Sequence, residues 1–115
     1  MPDDCLFCRI AAGTIPSSQL FADDSLIAFR DIAPKAPVHV LLIPRAHLTS
    51  ASELGEGTGS LLGHLFAVAN QIARQEGIAE SGFRVVTNVG PDSGNTVPHL
   101  HFHLLGGRMM SWPPG

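Results

Sequence analysis

The amino-acid sequence predicts a single α+β domain, an antiparallel sheet with one long helix and one short N-terminal helix. Three observations carry that reading. Leu61, Leu65, Val68 and Ile72 recur at helical spacing within residues 59–76. Short apolar or alternating runs at 18–22, 25–30, 39–43, 83–88 and 99–105 are separated by turn-forming residues. The chain has 115 residues, 44 % hydrophobic and 15 % charged, which fits one compact core and argues against disorder.

Taken in order, residues 5–12 predict a short helix, stopped by Gly13 and by Ile15-Pro16. Strands at 18–22 and 25–30 flank the turn-prone Asp23-Asp24. Residues 31–38 carry two prolines and predict a loop. His39 to Ile43 is nearly all apolar, as a buried strand would be, and Pro44 is expected to end it. The long helix at 59–76 is followed by Gly77 at a C-cap position. A strand at 83–88, a polar loop at 89–98 and a strand at 99–105 complete the domain. Gly106-Gly107 ends that strand, and the tail Ser111 to Gly115 has no regular pattern.

Composition narrows the function. The net charge is −3, and Lys35 and six arginines are scattered along the chain, so no basic face for nucleic acid is expected. No apolar run has the length of a membrane span, and Met1 to Asp4 lacks the basic and apolar regions of a signal peptide. The expected compartment is the cytosol, where Cys5 and Cys8 would stay reduced.

The chemistry concentrates in His99-Leu100-His101-Phe102-His103-Leu104-Leu105. Side chains alternate across a strand, so the three histidines share one face and Leu100, Phe102 and Leu104 the other. The apolar face anchors the strand, while the histidine face looks onto a cleft or ligand. Three adjacent imidazoles repel if all are charged, so their protons are held unequally. One can then act as nucleophile or base with its neighbours as hydrogen-bond partners. A metal centre is the alternative, because imidazole is a common zinc ligand. The preceding loop favours phosphate. Its glycines allow close approach to an anion, and Asn88, Asn95 and Thr96 offer neutral donors.

These residues resemble the histidine-triad (HIT) family, whose motif is His-x-His-x-His followed by two apolar residues. The likeness extends over Phe7–Pro16, Ala28–Pro34, Ala36–His39, Ile43–His47, Leu61–His64, Gly106–Arg108 and Trp112–Gly115. The tail is similar to the branch typified by purine nucleoside phosphoramidases. The resemblance implies a HIT-like fold over residues 1–115, dimerised so that two sheets join, with the tail 106–115 near the dimer interface. It implies hydrolysis of the P–N bond of purine nucleoside phosphoramidates through a nucleotidyl-histidine intermediate on His101, with a dinucleoside polyphosphate hydrolase, or a nucleotide-binding scaffold with vestigial catalysis, as the alternatives. It assigns His103 and Thr96 to the phosphate or leaving group, Asn88 to the phosphate or the shape of the pocket, Asn95 to the leaving group, and His39 to a network that tunes His101. Asp31 matches the ribose-binding acid, and Phe7, Ile10, Ile15, Phe29 and Ile32 match the apolar base pocket. Asn95 and Thr96 stand where the family often has glutamine and serine. Asparagine reaches less far, and Ser111 replaces a histidine of some relatives, so leaving-group preference is expected to differ.

Cys5-Leu6-Phe7-Cys8 admits two readings, a pair of buried thiols or half of a zinc shell that needs two more ligands. The resemblance supplies the other half. In many bacterial relatives a structural zinc is held by positions matching Cys5, Cys8, His47 and His99, and no catalytic metal is implied. A homodimer is expected also because a small domain gains buried surface by pairing, with Trp112 suited to the partner. The resemblance places this tail near the neighbouring subunit's active site, which makes Trp112 a substrate-binding candidate as well.

Overall fold

The computed structural model describes residues 4–94 and 97–115. It contains two α-helices, α1 (Leu6–Ala11) and α2 (Gly59–Gln75). Five strands, β1 (Gln19–Ala22), β2 (Leu26–Arg30), β3 (Val38–Pro44), β4 (Phe83–Val86) and β5 (Phe102–Gly106), form one antiparallel sheet in the order β1-β2-β3-β5-β4. The predicted α+β class therefore holds, with β5 inserted between β3 and β4. Short 3-10 turns at Ala51–Glu53, Glu56–Thr58 and Pro91–Ser93 have no counterpart in the sequence pattern. Among the described residues no helix is long and apolar enough to cross a membrane.

β3 is buried along its whole length because both its faces are covered. Val38, Val40 and Leu42 pack with Leu65, Val68 and Ile72 of α2 and with Leu100, Phe102 and Leu104. Leu41 and Ile43, on the opposite face, pack with Phe7 and Ile10 of α1 and with Ile27 and Phe29 of β2. Burying one such aliphatic side chain contributes about 1.5–3 kcal/mol, so the apolar counter-face of the histidine strand is a firm anchor. Gly106 permits the last tight approach: a Cβ there would lie 2.6 Å from Ile78 Cδ1.

Local chemistry explains the boundaries. Cys5 caps α1, its Sγ accepting from the Cys8 amide at 3.4 Å. The β1–β2 turn is closed by Asp23, whose carboxylate accepts from the Ser25 and Leu26 amides and pairs with His64 at 2.6 Å. β3 runs one residue past each predicted end, from Val38 through Pro44. β1 and β2 each begin one residue later than predicted, and two further strands are too long by two or more residues at one end. β4 stops at Val86, and Thr87 turns its Oγ1 to donate to the His101 carbonyl at 2.9 Å. β5 starts at Phe102 instead of residue 99, because the preceding amides bond elsewhere. His99 N–H goes to Val97 O at 2.9 Å and Leu100 N–H to Leu48 O at 2.6 Å.

Candidate active site

Register places the histidines. Leu41 of β3 lies opposite His103 of β5, and His39 opposite Leu105, so His39 and His103 are diagonal neighbours on one face. Their rings meet, with His39 Nε2 and His103 Nδ1 2.9 Å apart. His101 stands edge-on to His103 and to Phe7, each with ring centroids 5.0 Å away. His39 and His101 are buried, and His103 is half-buried.

Backbone groups fix which nitrogen of each ring carries the proton. The Lys35 amide can only donate, and it donates to His39 Nδ1 at 3.0 Å. Neutral His39 therefore carries its proton on Nε2 and donates it to His103 Nδ1, leaving the His103 proton on Nε2. The His99 carbonyl can only accept, and His101 Nδ1 lies 2.6 Å from it. The His101 proton is on Nδ1, and in the neutral ring Nε2 keeps its lone pair. His99 Nε2 donates to Pro44 O at 2.9 Å, which frees His99 Nδ1 as a ligand atom.

That ligand atom faces sulfur. His99 Nδ1 lies 3.3 Å from Cys5 Sγ and 3.4 Å from Cys8 Sγ, and His47 Nδ1 is 3.2 Å from Cys8 Sγ. All four ligand atoms fall within 4.8 Å of one another. A tetrahedral zinc at ~2.3 Å from sulfur and ~2.0 Å from nitrogen separates such atoms by roughly 3.5 Å. The donor set and spacing fit a closed Cys2His2 shell. Burial and the adjacent Cys5 sulfur push the Cys8 thiol up to about 11, and a divalent cation would draw that proton off.

Asp31, His39 and His103 also place ligand atoms within 4.8 Å, with Asp31 Oδ2 3.5 Å from His39 Nε2. Here the Lys35 amide keeps a proton at His39 Nε2, so this second cluster is built to hold a proton between rings.

Relatives give the arrangement its place. A family model described as HIT domain matches residues 12–110. The chain belongs to the HIT family. An adenylylsulfatase, HINT1, of Arabidopsis thaliana is 49 % identical over 112 residues, 96 % of this chain and 76 % of that protein. A 14 kDa zinc-binding protein of Brassica juncea is 46 % identical over 114 residues, 97 % of this chain and all of that one. A HIT family hydrolase from Legionella pneumophila Philadelphia 1 superposes with a TM-score of 0.94 at 46 % identity, over 96 % of this chain and 99 % of that chain.

The other expected site residues of this HIT protein are placed unevenly. Phe7, Ile10 and Phe29 pack in one buried cluster with Ile15 at its margin, whereas Ile32 is fully exposed and outside it. Asp31 lies beside His39, and its Oδ1 accepts the Ala33 amide at 2.8 Å. His39 reaches His103, so any influence on His101 passes through that ring. Asn88 is half-buried just beyond β4. Trp112 is 80 % exposed on the tail, with the Arg84 guanidinium 5.9 Å over its ring. Asn95 and Thr96 lie outside the described residues. Sequence reasoning missed the Lys35 amide and the Pro44 carbonyl, which act through main-chain atoms and leave no side-chain signal.

Electrostatics keeps the relay neutral. Burial first, then the charges of His101 and His39, hold His103 down to about 4, against a weaker upward pull from Asp31. Burial also lowers His39, opposed by Asp31 and aided by Lys35. The unfolded chain therefore takes up a proton at His103 between pH 6.5 and about 4 while the folded protein does not, so stability falls as pH drops through that window. With partial exposure allowed for, this ring accounts for about 2 kcal/mol of the loss. Asp23, held near 2 by its bond to His64, contributes only at lower pH. Urea midpoints at pH 7 and pH 4.5 should separate by less in His103→Asn than in the wild type. Equal separations would remove the assignment.

Proposed function

We propose that this HIT protein is a purine nucleoside phosphoramidase, hydrolysing the P–N bond of AMP-amine substrates through a nucleotide carried on His101. One observation carries the reading: of the clustered rings, only His101 combines a backbone-held N–H with a lone pair outside the His39–His103 bond and the cysteine cluster. His101 Nε2 attacks the α-phosphorus, and the bond from phosphorus to the amine breaks. The amine leaves with that electron pair and takes up a proton from solvent, the equivalent of which is returned in the second step. The ring's new positive charge is stabilised through Nδ1–H by the His99 carbonyl. Water then attacks phosphorus, the bond to Nε2 breaks, AMP departs and one water proton passes to solvent.

In this reading His103 Nε2–H, Asn88, Asn95 and Thr96 serve the phosphate or leaving group, and Asp31 the ribose. Phe7, Ile10, Ile15 and Phe29 back the base, with Ile32 free to cover it. A second reading keeps His101 and changes the leaving group to sulfate. It is favoured by the adenylylsulfatase name of the Arabidopsis relative. Rapid quenching of a reaction with adenine-labelled substrate, followed by peptide mapping, should find the label on the peptide containing His101. Label on another residue, or turnover with no trapped nucleotide, would count against the mechanism.

The same reading includes a structural zinc on Cys5, Cys8, His47 and His99, supported by the donor geometry and by the zinc-binding relative. It also includes a homodimer. β4 pairs only with β5 in the described sheet, and Met109 and Trp112 are 91 % and 80 % exposed on the nearby tail. Equilibrium sedimentation at micromolar concentration should return twice the chain mass, and a monomer would refute the dimer.

A further inference from the structure

Arg108 bonds to main-chain carbonyls, and through one of them a short chain of bonds joins it to the histidine relay. Its Nε and Nη2 both donate to the Lys35 carbonyl, at 3.3 and 3.0 Å. The Lys35 amide donates to His39 Nδ1 at 3.0 Å. His39 Nε2 reaches His103 Nδ1 at 2.9 Å. The third Arg108 bond, from Nη1, goes to the Met109 carbonyl at 3.2 Å. Among the described residues all three Arg108 bonds thus end on backbone carbonyls, and two of its donors converge on the Lys35 carbonyl.

The gripped carbonyl lies in the peptide after Lys35 and the amide in the peptide before it, so the grip reaches the amide through the Lys35 main chain, and that residue needs holding. Lys35 is exposed, in the loop between β2 and β3, where a surface segment moves unless tied. The tail ties it by close approach. Gly107 has φ +91°, and a Cβ there would lie 2.9 Å from Pro37 Cβ, so only glycine lets the chain turn back onto the loop and present Arg108. Among the described residues two groups favour a proton on His39 Nε2: the Lys35 amide at Nδ1, at 3.0 Å, and more weakly the Asp31 carboxylate, 3.5 Å from Nε2. Were the amide to swing away, only that longer approach would oppose the other tautomer of neutral His39, and the partner of His103 would be less sharply defined.

We propose that Arg108 is a positioning residue for the histidine relay. By gripping the Lys35 carbonyl it keeps the Lys35 amide on His39 Nδ1 and so fixes the tautomers of both His39 and His103. The effect on rate rests on the hydrolase reading above, whereas the tautomers do not. The test is imidazole 15N spectroscopy of the full chain, labelled at histidine, for wild type, Arg108→Ala and Arg108→Lys at neutral pH. In the wild type His39 and His103 should each show an unprotonated Nδ1 and a protonated Nε2. In Arg108→Ala the two nitrogens of His39 should average. There kcat on an adenosine phosphoramidate should fall about tenfold with KM changed less than about twofold, as for a misplaced catalytic group. Arg108→Lys keeps one donor and should recover much of both signals. Wild-type tautomers in Arg108→Ala would overturn the proposal, whether its rate is normal or falls only in step with its melting point. Tautomers that shift as expected in a protein without phosphoramidase activity would leave the clamp standing and remove the hydrolase reading.

Discussion

His101→Asn should lose turnover by about 10⁴-fold or more while binding AMP within about threefold of the wild type. The bond from Nδ1 to the His99 carbonyl, at 2.6 Å, orients the ring and leaves Nε2 as the unshared lone pair. Asparagine retains a polar side chain of smaller volume but cannot form the covalent phosphorus–nitrogen bond. The loss should therefore lie in the chemical step. Isothermal titration with AMP and single-turnover kinetics separate the two quantities. His103→Asn should be milder, near 10²-fold, because that ring supplies a proton donor and water can stand in for it. Near-normal turnover in His101→Asn would end the nucleophile assignment. Loss of AMP binding to the same extent as turnover would assign His101 to ground-state binding instead.

The sequence discloses the parts of this site that depend on periodicity. α2 is legible because its buried positions, Leu65, Val68 and Ile72, repeat at helical spacing with Gly77 just beyond the cap. The triad face is legible because Leu100, Phe102 and Leu104 all enter the cluster under α2, which turns the histidines the other way. Alternation does not distinguish a paired strand from an extended segment, however. Residues 99–101 keep the alternating faces but bond through Val97, Leu48 and Thr87, so the ladder begins only at Phe102. The sequence places His39 in the triad network without naming its partner; that partner is His103, set by the β3–β5 register across 64 residues of sequence. Family resemblance, not spacing, united Cys5, Cys8, His47 and His99, since ligands up to 94 residues apart leave no local pattern. The tautomers are least legible of all. They are written by a Lys35 amide, a Pro44 carbonyl and a His99 carbonyl, groups that every sequence possesses.

Removing zinc should cost this HIT protein far more stability than chemistry. The four proposed ligands come from three segments: the cap and first turn of α1, the residue His47 beyond β3, and His99 ahead of β5. A six-residue helix is unstable by itself, so α1 depends on this junction and on Phe7 and Ile10 beneath it. Structural zinc binding is folding energy, and chelation should lower the melting point by about 10 °C or more. Turnover measured well below the lowered midpoint should stay within about fivefold. His101 Nε2 is no part of the shell, and the phosphorus chemistry proposed for it requires no Lewis acid. Some loss is expected, since His99 lends its carbonyl to His101 and would lend its side chain to the proposed metal. Cys5→Ser combined with Cys8→Ser should reproduce the stability loss and abolish bound zinc. Protein purified without chelators or metal-binding tags and found free of zinc would refute the site, as would unchanged metal content in the double variant. Turnover that vanished with the metal while the fold stayed intact would instead place the metal in the reaction.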